Sequence, residues 1–442
     1  MKVTFILPCV GKRPGVPYPR SWLMEPLAIA QISALTPRDW EREFYDDRVD
    51  AIPGDLPADL VAMSVETYTA HRACQIADRF RRRGVPVVMG GFHPTLAPDD
   101  CAGHADAVVI GPAEGVWGRL LDDFRAGRLR TRYEAEAQPP LAGLFPDRSI
   151  FAGKPYMDLA LVETGRGCRF ACDFCSITAF FRRAYTARPV ADVVGEVRAL
   201  GRRTIFFVDD NFAVDRARTL ALLRALAPLR VRWMGQVSVH VAEDDELLAA
   251  MRRSGCLGVL IGFESLSEKS AALAGKGIRD APLAAYDRAM GRFARHRLAV
   301  YGTFVFGYET DTLASIEEAM EFAMRHRLFF AAFNHLVPFP GTPLYDRLRA
   351  ENRLIRADWW HAPDYRFGDL AFYPARMARE ELADACVRAR RVFYGWPRIL
   401  KRATHLRCNT RNPFMTLLFL TSNILSGKDV DRRQGMPLGE VE

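Results

Sequence analysis

The hydrophobic pattern changes period repeatedly along the first 345 residues. Short β-branched or apolar runs alternate with longer stretches whose apolar residues recur at helical spacing. In the first third the apolar runs are Val3–Leu7, Leu60–Met63, Val85–Met89 and Ala107–Ile110, with a shorter extended piece at Glu43–Tyr45. Met24–Leu35 has helical spacing through Met24, Leu27, Ala28, Ile32 and Leu35, and polar-faced helices fit 69–83 and 115–127. Strands alternating with helices predict βαβ units and a parallel, doubly wound sheet.

A stretch rich in Pro, Ala and Gly follows at 134–156, and it places a linker at 146–156. Six strand-like runs come next, at 159–164, 204–208, 231–237, 257–262, 299–306 and 330–337. Helices fit 189–201, 215–227, 243–254, 283–296 and 313–327. Six units predict a partial (β/α)6, TIM-like barrel rather than a closed eight. Beyond it the pattern loosens. Helices fit Leu344 to about Arg353, 378–394 and 397–406, and aromatic-rich, irregular chain lies between them. Those aromatics are expected to pack on the barrel, with lining of a substrate opening as the alternative. The last dozen or so residues read as disordered. The fold class is therefore α/β: a flavodoxin-like, Rossmann-type domain at 1–145, the linker, a barrel core at 157–345 and a small, mainly helical segment at 346–442.

Composition narrows the picture modestly. The 442 residues are 49% hydrophobic and 26% charged, as in a soluble globular protein. Neither a signal peptide nor an apolar stretch long enough to span a bilayer is visible, and Phe414–Leu420 is far too short. Nine cysteines without the spacing of a disulfide framework point to a reducing cytoplasm. The net charge of +8 is mostly scattered Arg. A solvated surface is the plain reading, and an anionic substrate or a membrane surface the others. No nucleic-acid module is apparent.

The chemistry enters at residues 164–176, T-G-R-G-C-R-F-A-C-D-F-C-S, which set Cys168, Cys172 and Cys175 at C-x3-C-x2-C spacing. Three thiolates on one short loop suit three irons of a [4Fe–4S] cube, leaving the fourth iron open. Buried apolar thiols and half of a zinc site are the plain alternatives, and zinc lacks a fourth ligand at matching spacing nearby. The loop, with Phe174 before its third cysteine, resembles the cluster loop of the radical S-adenosylmethionine (SAM) superfamily. The resemblance implies a SAM chelated at the open iron and cleaved to a 5′-deoxyadenosyl radical. Segments at the later strand ends are similar to that family's SAM cradle: Asp209-Asp210-Asn211-Phe212, Gly262-Phe263-Glu264-Ser265 and Gly302-Thr303-Phe304. They imply SAM contacts from Phe174, Asp209, Asp210, Glu264, Ser265, Gly302 and Phe304. For the acids, an Asx-turn or helix cap is the structural alternative. Arg166 and Arg169 flank the cluster, either holding carboxylates or solvated.

Ligands of doubly wound sheets bind beyond the carboxyl ends of the strands. Those ends carry Ser64, Glu66 and Thr67, then Gly90-Gly91-Phe92-His93-Pro94-Thr95, then Gly111 to Glu114. Glycine there allows close backbone approach, and no dinucleotide fingerprint is present. Together with the Cys loop, this third resembles the cobalamin-binding domain of B12-dependent radical SAM proteins. The resemblance implies cobalamin contacts from Ser64, Glu66, Thr67, Gly90, Gly91, His93, Thr95, Gly111 and Glu114. None of His71, His93 or His104 has Asp two residues before it, so the D-x-H-x-x-G cobalt ligand of other B12 proteins is missing. A domain that has lost the corrin is the alternative, and His93 is equally a loop or capping residue.

The resemblance as a whole implies C-methylation of an unactivated carbon in a small molecule, and the C-terminal aromatics leave a hydrophobic one open. The electron would come from an external donor such as flavodoxin or ferredoxin. Ring formation, ring contraction or oxygenation with the same cofactors stays open. A methylthiotransferase would need a second cluster, and Cys9, Cys74 and Cys101 are widely separated. A non-catalytic cluster or B12 sensor is the alternative of another class.

Overall fold

The computed structural model describes every residue except 14, 136–137, 268–281 and 441–442. Parts of the expected linker stretch and of the expected disordered end fall outside the described residues. Two six-stranded sheets organise the chain. The first contains β1 (Lys2–Leu7), β2 (Glu41–Asp46), β3 (Leu60–Ser64), β4 (Val87–Gly90), β5 (Ala107–Ile110) and β6 (Arg132–Glu134). Their order is β2-β1-β3-β4-β5-β6 and all pairs are parallel. This is the flavodoxin-like order, extended by one edge strand. Both faces are covered by helices, so the central strands are apolar throughout rather than alternating. Val3, Phe5, Leu60, Ala62 and Val88 face one core, and Ile6, Val61, Met63, Val87 and Met89 the other.

The second sheet runs β7 (Ala160–Val162), β8 (Thr204–Phe207), β9 (Arg232–Gln236), β10 (Cys256–Glu264), β11 (Ala299–Phe306) and β12 (Phe330–His335) in sequential, parallel order. β7 and β12 do not pair with one another, so the barrel stays open. The helices Val190–Ala199, Arg216–Leu226, Asp245–Arg253, Pro282–Arg295 and Leu313–Arg325 lie between successive strands. One large core joins them to alternate strand residues, including Ile205, Phe207, Trp233, Val259, Ile261, Phe263, Phe304 and Phe333.

The stretch expected as a linker packs on the first domain, with Phe151 against Phe44 and Tyr156 in its core. One expectation is corrected here: the end of the chain is ordered up to Glu440. Pro413–Arg433 is one helix, started by Asn412, whose side chain accepts from the Met415 backbone N–H. Gly439–Glu440 then pairs with Gly11–Lys12. Glu440 meets buried Arg72, which also binds Asp47 at 2.8 Å. Asp47 takes Lys12 at 2.6 Å as well, so two cations surround one buried carboxylate.

The C-terminal aromatics divide between the two halves. Trp359, Trp360 and Tyr365 belong to a core of the first domain. Phe393 and Tyr394 pack on β12, with the Tyr394 hydroxyl donating to the Ala331 carbonyl at 3.0 Å.

Candidate active site

Each stem of the cluster loop is held by a different element. After β7, Gly165–Arg166 forms a two-residue antiparallel ladder with Thr186–Ala187, which closes residues 167–185 into a loop. Gly167 turns the chain with φ +86°, and a Cβ there would run into the Ala184 carbonyl. Asp209, just past β8, accepts from the Thr164 backbone N–H at 2.7 Å and from its hydroxyl at 2.6 Å. Asp210 accepts from the Gly167 N–H at 2.8 Å. Burial pushes the Asp209 carboxyl up to about 7 and the Asp210 carboxyl up to about 6, against these hydrogen bonds. The acid pair therefore buttresses the loop, and both Asp209 oxygens are occupied by Thr164.

The far side of the loop is tied to the later strands. Asp173, between the second and third cysteines, accepts from Arg347 at 3.0 Å and from the Tyr308 hydroxyl at 3.3 Å. Its carbonyl takes the Leu344 N–H at 3.0 Å. Arg347 and Leu344 lie on the helix Pro343–Ala350, begun by Thr342 of the Pro-Gly-Thr-Pro turn. Burial, with Asp173, Glu264 and Cys172 nearby, raises the Tyr308 hydroxyl. Cluster loop and β10 end thus meet around this tyrosine. Glu264 is buried and sits at φ +60°, a left-handed conformation that a non-glycine residue adopts only at a cost. Ser265 is buried beside it, and its hydroxyl accepts from the Ser267 N–H.

Gly302 and Phe304 do not belong to the inner face. Phe304 is fully buried and stacks between Phe263 and Phe333, at 5.5 Å from each, under Phe322 of the outer helix layer. A Cβ on Gly302 would lie 2.7 Å from Leu328 and 2.9 Å from Phe263. Both side-chain positions point to the helices, so neither offers a side chain to a ligand inside the barrel. The residues of β11 with opposite parity, Tyr301, Thr303 and Val305, are the half-buried ones.

Facing the loop is a cavity of about 240 Å³ at the carboxyl ends of the first sheet. Its floor is Phe5, Ala62, Val88 and Val109, with helix Leu27–Leu35 and Trp117 as walls. Its rim gathers Ser64, Glu66, Gly90, Gly91, Gly111 and Glu114 with Glu163, Arg166, Phe180 and Phe181 of the barrel half. Gly91 has φ +110°, and a Cβ would stand 2.9 Å from the Val65 carbonyl, so only glycine fits. Desolvation raises the Glu66 carboxyl. Thr95 does not line the cavity. It links two strand ends, donating to the Gly91 carbonyl at 2.8 Å and accepting from the Gly111 N–H at 2.9 Å.

His93 turns away from this cavity, which corrects the expectation of a corrin-facing group. It is fully buried, 2.8 Å from Asp100 through Nε2 and 3.4 Å from Thr67 through Nδ1, with Trp360 against its ring. Asp100 also takes His361 at 3.0 Å and the Trp360 indole at 3.2 Å. His93 and Thr67 therefore fasten the first domain to the C-terminal segment.

Sequence reasoning gave Arg166 no decided role and missed Glu163. Arg166 is buried between Glu163 at 2.7 Å and Glu114 at 2.8 Å, and Gln31 donates to Glu163 at 3.1 Å. The signal for it was faint: one cation at a strand end whose partners lie on distant segments.

The radical SAM superfamily model matches residues 162–323. The bacteriochlorophyllide d C-12(1)-methyltransferase of Chlorobaculum tepidum is 30% identical over 390 residues, covering 85% of this chain and 84% of that one. The chain belongs to the cobalamin-dependent radical SAM enzymes. A second relative from that organism, bacteriochlorophyllide d C-8(2)-methyltransferase, is 27% identical over 75% of this chain and 78% of its own. The fold matches that of the radical SAM methyltransferase TsrM from Kitasatospora setae, solved with cobalamin and a [4Fe–4S] cluster. The TM-score is 0.64 at 18% identity, covering 82% of this chain and 76% of TsrM.

The family's cofactors are a [4Fe–4S] cluster, SAM and cobalamin, and the residues present fit them. Three cysteines outside any disulfide occupy one loop clamped on both sides. The glycine-rimmed cavity has an apolar floor, and among its described lining residues there is no histidine. That suits a corrin without a protein ligand to cobalt. Among the described residues no helix is long and apolar enough to cross a membrane.

Proposed function

We propose that the enzyme transfers a methyl group to an unactivated carbon of a small molecule, working in a reducing cytoplasm with a flavodoxin- or ferredoxin-type electron donor. The observation that carries this reading is the shared cavity, whose rim joins the strand ends of the first sheet to the stem of the cluster loop. When bound, the cluster, SAM and cobalamin supply a 5′-deoxyadenosyl radical and a transferable methyl group.

The chain's own residues arrange that chemistry. Cys168, Cys172 and Cys175 hold the cluster, with Phe174 packed beside them on the barrel core. Asp210, Glu264 and Ser265 would contact SAM, while Asp209 fixes the loop through Thr164. Ser64, Glu66, Gly90, Gly91, Gly111 and Glu114 line the cavity that would hold cobalamin, and Thr95 spaces their strand ends. Arg166 keeps Glu114 and Glu163 paired across the domain boundary, so the two cofactor sites hold one distance. Phe92, Phe180 and Phe181 pack tilted and edge-on against one another at the rim, where they would exclude water.

Incubation of reconstituted enzyme with methyl-labelled SAM and candidate substrates tests the reading. Label in the product, with both S-adenosylhomocysteine and 5′-deoxyadenosine released, is the expected result. Deoxyadenosine without S-adenosylhomocysteine would reassign the enzyme to ring formation or oxygenation. A Cys172→Ala enzyme that still cleaved SAM would remove the cluster assignment.

A further inference from the structure

The C-terminal layer has a charge pattern that catalysis does not use. Between Asp384 and Asp429 the sequence contains no Asp or Glu, yet it holds Arg388, Arg390, Arg391, Arg398, Lys401, Arg402, Arg407, Arg411 and Lys428. This segment accounts for the chain's net positive charge. The helix Trp396–Ala403 sits in its middle and is strongly two-sided.

Its inner side is fixed. Ile399 joins Leu257, Ala299, Phe329, Met415 and Phe419 in a core at the amino ends of β10, β11 and β12. Arg402 is fully buried without a carboxylate. It donates to the carbonyls of Leu328, Phe329 and Phe393 and to Asn423, and lies over the Phe393 ring at 3.7 Å. Five contacts to four residues thus lock the helix to the barrel and set which residues face outward.

The outer side carries what a core would normally hold. Trp396 and Leu400, one helical turn apart, are each 59% exposed, and Leu406 just beyond is 71% exposed. Leu417 on the neighbouring helix is 64% exposed. Arg398, Lys401 and Arg407 stand between these apolar groups, exposed and without an ion pair among the described residues. Single exposed leucines need no explanation, but a Trp and several Leu interleaved with unpaired cations do. An interfacial helix has this composition: apolar side chains enter the acyl boundary, Trp sits at head-group level and cations meet anionic lipid.

We propose that residues 392–407 dock the enzyme on an anionic lipid bilayer. The charge complement argues for lipid phosphates, since the exposed Arg398, Lys401 and Arg407, in a stretch without one carboxylate between Asp384 and Asp429, would repel a cationic surface and gain little from a neutral one. The surface lies at the amino ends of the barrel strands, opposite the cluster loop, so docking leaves the electron donor's approach open.

The test is co-sedimentation of the cluster-reconstituted enzyme with vesicles of phosphatidylglycerol and phosphatidylcholine, against phosphatidylcholine alone. Binding to the anionic vesicles, weakened by salt, is expected. Arg398→Glu with Lys401→Glu lowers the partition more than about tenfold, since each cation near an anionic surface contributes roughly a fivefold factor. Trp396→Ser with Leu400→Ser weakens binding even at low salt. Melting temperature and iron content, unchanged in both variants, separate lost docking from lost folding. Equal sedimentation of parent and variants, or no binding to anionic vesicles at low salt, overturns the proposal. So does a concentration-dependent dimer that Trp396→Ser abolishes, or capture of an acidic protein without lipid binding.

Discussion

Arg166 Nη1 lies 2.8 Å from a carboxylate oxygen of Glu114, and the pair joins the end of β5 to the stem of the cluster loop. Both side chains are largely buried, so loss of one leaves the other's charge less well compensated. Glu114→Ala leaves Arg166 with Glu163 alone and costs about 1–2 kcal/mol of stability. Cobalamin retention after gel filtration, read by absorbance, is expected to fall while iron content holds. Unchanged retention would detach this pair from the corrin site.

Asp209 gives the enzyme a pH signature. Its folded value near 7 lies above the ordinary 3.8 because burial disfavours the charge. The folded state therefore binds the proton more tightly than the unfolded one. Stability from this group is fully present below about pH 4, declines as pH rises through 7 and is flat beyond. Asp209→Asn keeps an acceptor for the Thr164 N–H and offers a donor to its hydroxyl. Melting curves of this variant are expected to lose part of the slope between pH 4 and 7, whereas Asp209→Ala also loses iron. An unaltered slope in the Asn variant would refute the assignment.

Glu264 separates strain from function. Glycine accepts φ +60° without penalty and alanine does not. Glu264→Gly is thus expected to be more stable than Glu264→Ala by about 1 kcal/mol. Both lack the carboxylate, so both form deoxyadenosine equally slowly. A Gly variant with parental SAM cleavage would place Glu264 outside the SAM site.

Gly302 checks the helix-facing side of β11. Gly302→Ala pushes a methyl into Leu328 and Phe263 and costs about 1–3 kcal/mol through overpacking. Its KM for SAM is expected to stay within twofold of the parent's. A large rise in KM with unchanged melting temperature would return Gly302 to the ligand side.

These cases show what the sequence could and could not carry. Gly302 and Phe304, two residues apart on β11, share one face, as strand geometry requires. Alternation does not say which face meets the helices, because inner and outer faces of a barrel strand are both largely apolar. Cys168, Cys172 and Cys175 were legible because their spacing is local, and the strand order because it follows from βαβ units. His93 was not, since its partner Asp100 is seven residues on while Trp360 and His361 come from 260 residues away. Glu163 and Arg166 likewise acquire meaning only when Glu114 arrives from another sheet. The order of residues 434–440 escaped notice because two residues of strand have no periodicity to read.

That short strand bears on biosynthesis. Gly439–Glu440 covers Gly11–Lys12, and Glu440 completes the pairing of Arg72, whose other partner is Asp47. At about 5–20 residues per second, synthesis brings residue 439 to the ribosome roughly 20–90 seconds after residue 11. Until then Arg72 lacks Glu440 and the Gly11–Lys12 strand is unpaired, although every strand of the six-stranded sheet has already been made. A nascent chain arrested before residue 430 is therefore expected to expose this edge to chaperones, and a fragment holding the first domain alone to be a poor substitute for it.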